Sequence, residues 1–471
     1  MLKQSLIAFF WLVISAMIGF GFQIFAASYL GAAEFGKANY YYGFSSTIMV
    51  FACFGVQFFL PKYMHTLNKS DNLFSETFWT ISLLFCAIIP ISVFLLAEIV
   101  PISLILVIIV LSYLMVIFEV IQSYYVGLSK TDRGFFLTLL FRVLNVVSFF
   151  LLVFFVSNKY LDYLIALILA YCLLILPFAL SKITSPKVNV SIITLCIPFY
   201  LVQISYGLFG ALARVLQGFF GTFESVAVLS VGLVLGAATA MFGNVFAKVV
   251  MPEFANAWRE KNIKDIRNIF HKATRLNTYF VLPIAVFSVL NADILLSLLG
   301  KGYEGGELIL SLVLFSSFFS SFVGPNGTLL NMTDNQRYEI LNGILGLIAA
   351  FVTGLWLGPI YSWGIAFAIM FAELVRNSAK TIEVATLFKI WPYPKKTFYF
   401  IFILVIMNIT TMFLLKALTS GIILLLTGAI AILLSYILTL YAAPDEEDRI
   451  YLHEVKKVIS KIASVHLLNG R

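Results

Sequence analysis

Apolar runs separated by short polar joints make up almost the whole chain, and the runs have the length at which a helix crosses a membrane. About 20 consecutive apolar residues span roughly 30 Å of hydrocarbon as a helix. Hydropathy delimits fourteen such stretches: 5–28, 39–60, 78–97, 101–127, 135–156, 161–180, 193–217, 224–247, 277–299, 307–331, 339–358, 361–385, 397–417 and 420–442. A bilayer core offers no water to free backbone N–H and C=O groups, so each run is expected to be an α-helix. The predicted class is an all-α polytopic membrane protein. The start, MLKQ running straight into apolar sequence, reads as a retained first span rather than a removed signal peptide.

Composition supports the membrane reading: 61% of the 471 residues are hydrophobic and 11% charged, against roughly 25% charged in soluble domains. Mean hydropathy is +0.99. The four cysteines (Cys53, Cys86, Cys172 and Cys196) lie inside apolar runs without metal-ligand or redox spacing. The net charge of +8 is mostly topological. Cations collect in alternate joints, among them Lys62, Lys130, Lys187, Arg259, Arg267, Arg337 and Lys396, whereas the opposite joints hold Lys37, Lys159, Lys301 and Lys416. By the positive-inside rule both termini are cytoplasmic, and no nucleic-acid partner is implied.

Self-comparison at an offset of about 190 residues reveals a repeat. WLVISAMIGFGFQIFAASYLGAAEFGKANYYYGF, from Trp11, lies against YLVQISYGLFGALARVLQGFFGTFESVAVLSVGL, from Tyr200, matching Gly31 to Gly221 and Glu34 to Glu224. Each copy ends in an exit proline, Pro61 and Pro252. The expected organisation is a pair of pseudo-symmetric six-helix lobes: an N-terminal lobe over 1–190 and a C-terminal lobe over 191–390. Two appended helices follow over 391–443. Residues 253–276 place Phe254, Trp258, Ile266 and Ile269 at helical spacing among basic residues, as an interfacial helix does. The tail 444–471 is also amphipathic, either a binding element or a solvated end.

The phrase ASYLGAAEFGKANYYYGF after the first span resembles the LG-x-x-x-[FY]-G signature of Wzx-type polysaccharide flippases, in the multidrug/oligosaccharidyl-lipid/polysaccharide (MOP) exporter superfamily. LLSLLGKGYEGGELILSLVLFSS around Tyr303, NGTLLNMTDNQRYEILNGILGLI and LWLGPIYSWGIAFA fit the same pattern in order. The resemblance implies an inner-membrane flippase that moves a polyprenyl-diphosphate-linked oligosaccharide of O-antigen or capsule type. Its implied partners are membrane lipids, a polysaccharide polymerase and glycosyltransferases. One departure lies at helix 7, where such proteins often carry an acidic residue and this chain has Ala213 before Arg214.

Intramembrane charge suggests the chemistry, because a charged side chain at a helix centre costs about 2.5–3.5 kcal/mol on insertion scales. Glu119 and Arg142 lie nearly equidistant from the hairpin tip at Lys130, roughly 10–12 Å inside the boundary. They can pair with each other, or Arg142 can face a cavity and receive an anion while Glu119 holds it. Glu373, Arg376, Asn377 and Lys380 share one helical face, which must line water or protein. Glu373 either pairs with Arg376 or exchanges a proton. Gln203, Gly207, Gly210, Arg214 and Gln217 form another stripe, with Arg214 close enough to the outer end to snorkel. Gln23, Gln57, Gln122, Asn145 and Asn244 are candidate cavity-lining or interhelical amides. Lys248 and Lys416 read as interface anchors.

No GxxxxGK[ST], HExxH or GxSxG motif is present, so neither ATP-driven transport nor hydrolysis is indicated. The expected protein is not an enzyme, needs no cofactor and runs on a proton or sodium gradient. Arg142, Arg214, Arg376 and Lys380 are the expected anion contacts, because Arg binds diphosphate bidentately. A peptidoglycan-precursor flippase and a drug or metabolite exporter of the same superfamily are the alternatives.

Overall fold

A computed structural model describes residues 2–64, 70–128, 130–155, 160–182 and 186–442. Among the described residues there are sixteen α-helices and no strand. In order they are α1 (Leu2–Ala52), α2 (Val56–Tyr63), α3 (Ser70–Leu96), α4 (Ile102–Gly127), α5 (Thr131–Phe155), α6 (Tyr160–Lys182), α7 (Val190–Phe220) and α8 (Phe223–Arg259). They continue as α9 (Ile263–Leu290), α10 (Ala292–Ser297), α11 (Glu307–Phe322), α12 (Asn326–Met332), α13 (Gln336–Leu357), α14 (Gly364–Phe388), α15 (Lys395–Leu418) and α16 (Gly421–Ala442). The tail 444–471 lies outside the described residues.

Each expected span coincides with a helix or helix pair, but ten helices are individually long and apolar enough to cross a membrane. Four differences account for the rest. The first two spans run as one helix from Val13 to Ala52, interrupted at Gly31, whose φ of 75° and ψ of 165° suit glycine. The tenth is the bent pair α11 and α12, which meet at 44° and would make an eleventh span. α14 carries Glu373, Arg376, Lys380 and Glu383, which dilute its apolar character, and the apolar part of α16, Ile423–Thr439, is short. The glycines that the repeat pairs fall at equivalent breaks: Gly31 inside α1, and Gly221 as the C-cap of α7.

Large apolar side chains on the outer faces are open, such as Ile102 (83% exposed) and Phe154 (81%). That is the pattern expected where lipid tails, not water, meet the helices.

The chain forms two compact units. Unit 1 runs through Val234 and adds Leu296–Leu310 and Gly343–Ala372. Here α7 packs against α1, with Gly43, Gly207 and Gly218 facing Val215, Val50 and Tyr40. Small residues permit such close helix contact. Unit 2 comprises Leu235–Leu295, Ser311–Asn342 and the described chain from Glu373.

One expectation changes within unit 2. The amphipathic linker 253–276 is not a separate surface helix: α8 continues to Arg259, the chain turns, and α9 starts behind Asn262, whose side chain caps the Asp265 N–H. Phe254 and Ile266 are fully buried in a core with Phe270, Leu329, Leu330, Val384 and Phe388, and Trp258 and Ile269 pack on it. The Trp258 indole donates to Asp334 at 2.9 Å. The apolar stripe covers protein instead of a leaflet.

Candidate functional site

Each unit contains a polar cavity, and between them the two hold most of the intramembrane charge. The cavity of unit 1 encloses about 340 Å³. Its walls are Tyr42, Ser46, Met49 and Val50 of α1, Met115, Phe118 and Glu119 of α4, Thr138, Phe141 and Arg142 of α5, Tyr171 of α6, and Gly207, Ala211 and Arg214 of α7. Arg142 and Arg214, 72 residues apart in sequence, therefore share one space with Glu119.

Backbone and aromatic faces hold both arginines. A Cβ on Gly19 would lie 3.0 Å from the Arg142 Nε, so the glycine gives the guanidinium room against α1, and Phe141 lies 5.8 Å beneath it. Arg214 donates to the Gly210 carbonyl at 3.1 Å and sits 5.7 Å from the Tyr42 ring. Arg142 and Glu119 both line this cavity, and the ion pair between them that was one of the two readings is not formed. Among the described residues neither Arg142 nor Arg214 forms an ion pair with Glu119, although all three line the same walls. Arg214 is half-buried, and α7 continues beyond it to Phe220.

The amides divide by role. Gln122 donates to Thr138 Oγ1 at 2.8 Å and orients a cavity wall. Gln23 donates to the Tyr163 hydroxyl at 2.6 Å. Gln203 is structural: its Oε1 accepts from the Gly55 N–H at 2.7 Å and its Nε2 donates to the Val50 carbonyl at 2.8 Å, satisfying backbone at the break between α1 and α2. Gln217 likewise donates to Ser225 Oγ and the Ser362 carbonyl, both at 2.8 Å. Asn145 is 1% exposed, one turn from Arg142. Gln57, on α2, is half-buried and lines neither cavity. The side chains of Asn244 and Lys248 lie outside the described ones.

The cavity of unit 2, about 230 Å³, is lined by small and polar residues, including Asn277, Ser320, Ser321, Thr328, Asn331, Glu339, Asn377 and Lys380. Here the charges are matched. Lys380 donates to Glu339 Oε1 at 2.7 Å with both side chains about nine-tenths buried. Arg376 pairs with Glu373, and Asn377 donates to the Glu373 carboxylate at 2.9 Å. Asn342 donates to Glu383 at 2.5 Å, adding a second tie between α13 and α14. Gly327 makes this possible, since a Cβ there would lie 2.5 Å from Glu339 Oε1. Of the four cations expected to hold an anion, Arg376 and Lys380 are thus engaged by carboxylates, and Arg142 and Arg214 are not.

Glu339 and Glu383 escaped the sequence reading. Glu339 was placed at the first residue of its span, where a charge meets water, but α13 begins at Gln336 and buries it to 7% exposure. The available signal was reciprocal spacing: Glu339 and Asn342 on one helix, Lys380 and Glu383 on the other, each three apart. Lys416 also has a partner, Asp293, at 2.8 Å.

No family model matches the chain, and no curated protein is found similar to it. Solved structures do match. The lipid II flippase MurJ in an inward closed conformation superposes with a TM-score of 0.73 at 15% identity, covering 93% of this chain and 98% of its own. An inward-facing multidrug resistance MATE transporter of the MOP superfamily gives 0.58 at 14% identity, covering 80% and 95%. A eukaryotic MATE transporter gives 0.55 at 13%, covering 81% and 96%. The chain shares the fold of these three solved structures.

Proposed function

We propose that the protein is a flippase that carries a polyprenyl-diphosphate-linked oligosaccharide across the bacterial inner membrane by alternating access, driven by a proton or sodium gradient. The observation that carries this reading is the pair Arg142 and Arg214, facing one cavity with no carboxylate among the described residues bonded to either. Burying a guanidinium is expensive without a partner, so such a site favours an anion, and the planar fork matches phosphate oxygens. The polyprenyl tail would stay in lipid while the diphosphate enters. Glu373, with Arg376 beside it, is the coupling carboxylate in this scheme. The six-helix lobes of the repeat are the moving parts, and both chain ends face the cytoplasm.

Fold coverage supports a flippase over a drug exporter. The MATE transporters account for about four-fifths of this chain, whereas the lipid II flippase spans 93% of it. The same likeness keeps a peptidoglycan-precursor flippase as a second reading. Deletion separates the two, because loss of a precursor flippase should be lethal and loss of an O-antigen or capsule flippase conditional. The direct test is surface-glycan complementation in a flippase-null strain. Arg142→Ala and Arg214→Ala are expected to abolish surface glycan while still reaching the membrane, with partial rescue by Arg142→Lys. Full activity of both alanine variants would remove the anion site.

A further inference from the structure

We propose that Glu119 is the receptor for a hydroxyl-bearing group of the cargo, so that the unit 1 cavity recognises a two-part head: an anion at Arg142 and Arg214, and the glycosyl group joined to it at Glu119. The inference rests on the flippase reading. Its starting point is that three charged side chains of both signs line one cavity and, among the described residues, form no ion pair. Glu119 is half-buried on α4 among apolar neighbours. An ionised carboxylate has only acceptor sites, and leaving them without donors in such a place is costly. A ligand that was anionic throughout would be repelled by it. One that carries hydroxyl donors beside its anion satisfies all three groups together.

The aromatic part of the cavity lining fits the same chemistry. Phe118, Phe141 and Tyr171 form a contiguous aromatic cluster, with Phe141 and Tyr171 stacked at 4.2 Å and Phe118 at 5.5 and 5.4 Å from them. A sugar ring presents C–H faces flanked by hydroxyls, and so meets an aromatic face and a carboxylate at once. Thr138 is already committed, donating to the Gly134 carbonyl and accepting from Gln122. Among the described residues Glu119 is the carboxylate acceptor of this lining, beside the hydroxyls of Tyr42, Ser46 and Tyr171. At about 340 Å³ the cavity is at the small end of ligand pockets, which run from about 300 to 1,000 Å³, so it takes the part of a larger head next to the anion.

The test compares the full-length protein in detergent with two probes, farnesyl diphosphate and the same diphosphate bearing one hexose, by thermal shift and equilibrium binding. Wild type is expected to bind the glycosylated probe on the order of tenfold more tightly, the worth of a hydrogen bond to a charged group. Glu119→Ala should erase that preference and tighten binding of the bare diphosphate, since a like charge is removed. Glu119→Gln, which keeps the shape and one acceptor, should retain part of the preference and guards against misfolding of the alanine variant. A glycosylated-probe advantage that survives intact in Glu119→Ala overturns the proposal. Undiminished diphosphate binding by the Arg142→Ala/Arg214→Ala variant overturns the flippase reading instead, so the two failures are distinct.

Discussion

The cavities of the two units contain similar numbers of charged groups and dispose of them in opposite ways. In unit 2, Lys380 of the cavity lining is paired with Glu339, and Arg376, one turn before it on α14, is paired with Glu373. In unit 1, Arg142 and Arg214 lie against glycine, carbonyl and aromatic faces, and Glu119 stands apart. Matched pairs fix helices to one another, whereas unmatched charges must be matched by something that enters. The two cations and two carboxylates of the unit 2 pairs cancel, whereas the unit 1 cavity holds two arginines against one glutamate.

Breaking that contrast at its strongest point should abolish function without unfolding the protein. The double variant Arg142→Ala/Arg214→Ala is expected to lower transport by about a hundredfold or more, because each lost charge-assisted contact is worth roughly 1.5–3 kcal/mol. Glycan display and membrane abundance, measured together, check this. The converse variant, Lys380→Ala, should cost stability first. It leaves a buried carboxylate without its partner, a loss of about 3–5 kcal/mol, most of which Lys380→Ala/Glu339→Ala should restore in a thermal unfolding series.

A smaller effect is expected at Gly19. An alanine methyl would crowd the Arg142 guanidinium at 3.0 Å and turn a flexible side chain aside, which predicts a several-fold drop in diphosphate affinity and an unchanged melting temperature. Arg376→Ala should matter less than either unit 1 arginine, changing stability by at most about 1 kcal/mol, since its pair with Glu373 is an i,i+3 contact with partial solvent access.

The smallest effect is one of pH. Burial acts to raise the Asp293 carboxyl, but the hydrogen bond from Lys416, backbone N–H groups and the Lys416 charge outweigh it and hold it below the usual carboxylate range. A depressed folded-state pKa stabilises above the unfolded value near 3.8 and loses that contribution as pH falls through the folded value. Melting temperature measured from pH 6 to pH 3 should therefore fall slightly less steeply in Asp293→Asn than in wild type.

Sequence legibility followed the range of the interaction. Helix existence was plain because hydropathy is a local sum, and the Gly31 and Gly221 match located two helix breaks. The stripe Glu373, Arg376, Asn377 and Lys380 was visible because its members lie on one helix, and its self-pairing was one of the two readings open. Glu339 was not visible as the partner of Lys380, since the bond joins residues 41 apart on different helices. The linker 253–276 misled for the same reason: amphipathicity reports that a face will be covered and is silent about whether lipid or protein covers it.

By itself the sequence determined that this chain is a bundle of membrane-spanning helices, and it showed many of the side chains that carry charge into the apolar region, though not Glu339 or Glu383. The bilayer imposes those results residue by residue, through the cost of exposed backbone and of buried charge. Tertiary structure alone decided which charges cancel. Lys380 meets Glu339 because Gly327 leaves space for a carboxylate, and Arg142 shares a cavity with Arg214 because α5 and α7 both border it. Pairing depends on distances of a few ångströms between helices far apart in sequence, and no periodicity along one strand of chain encodes them.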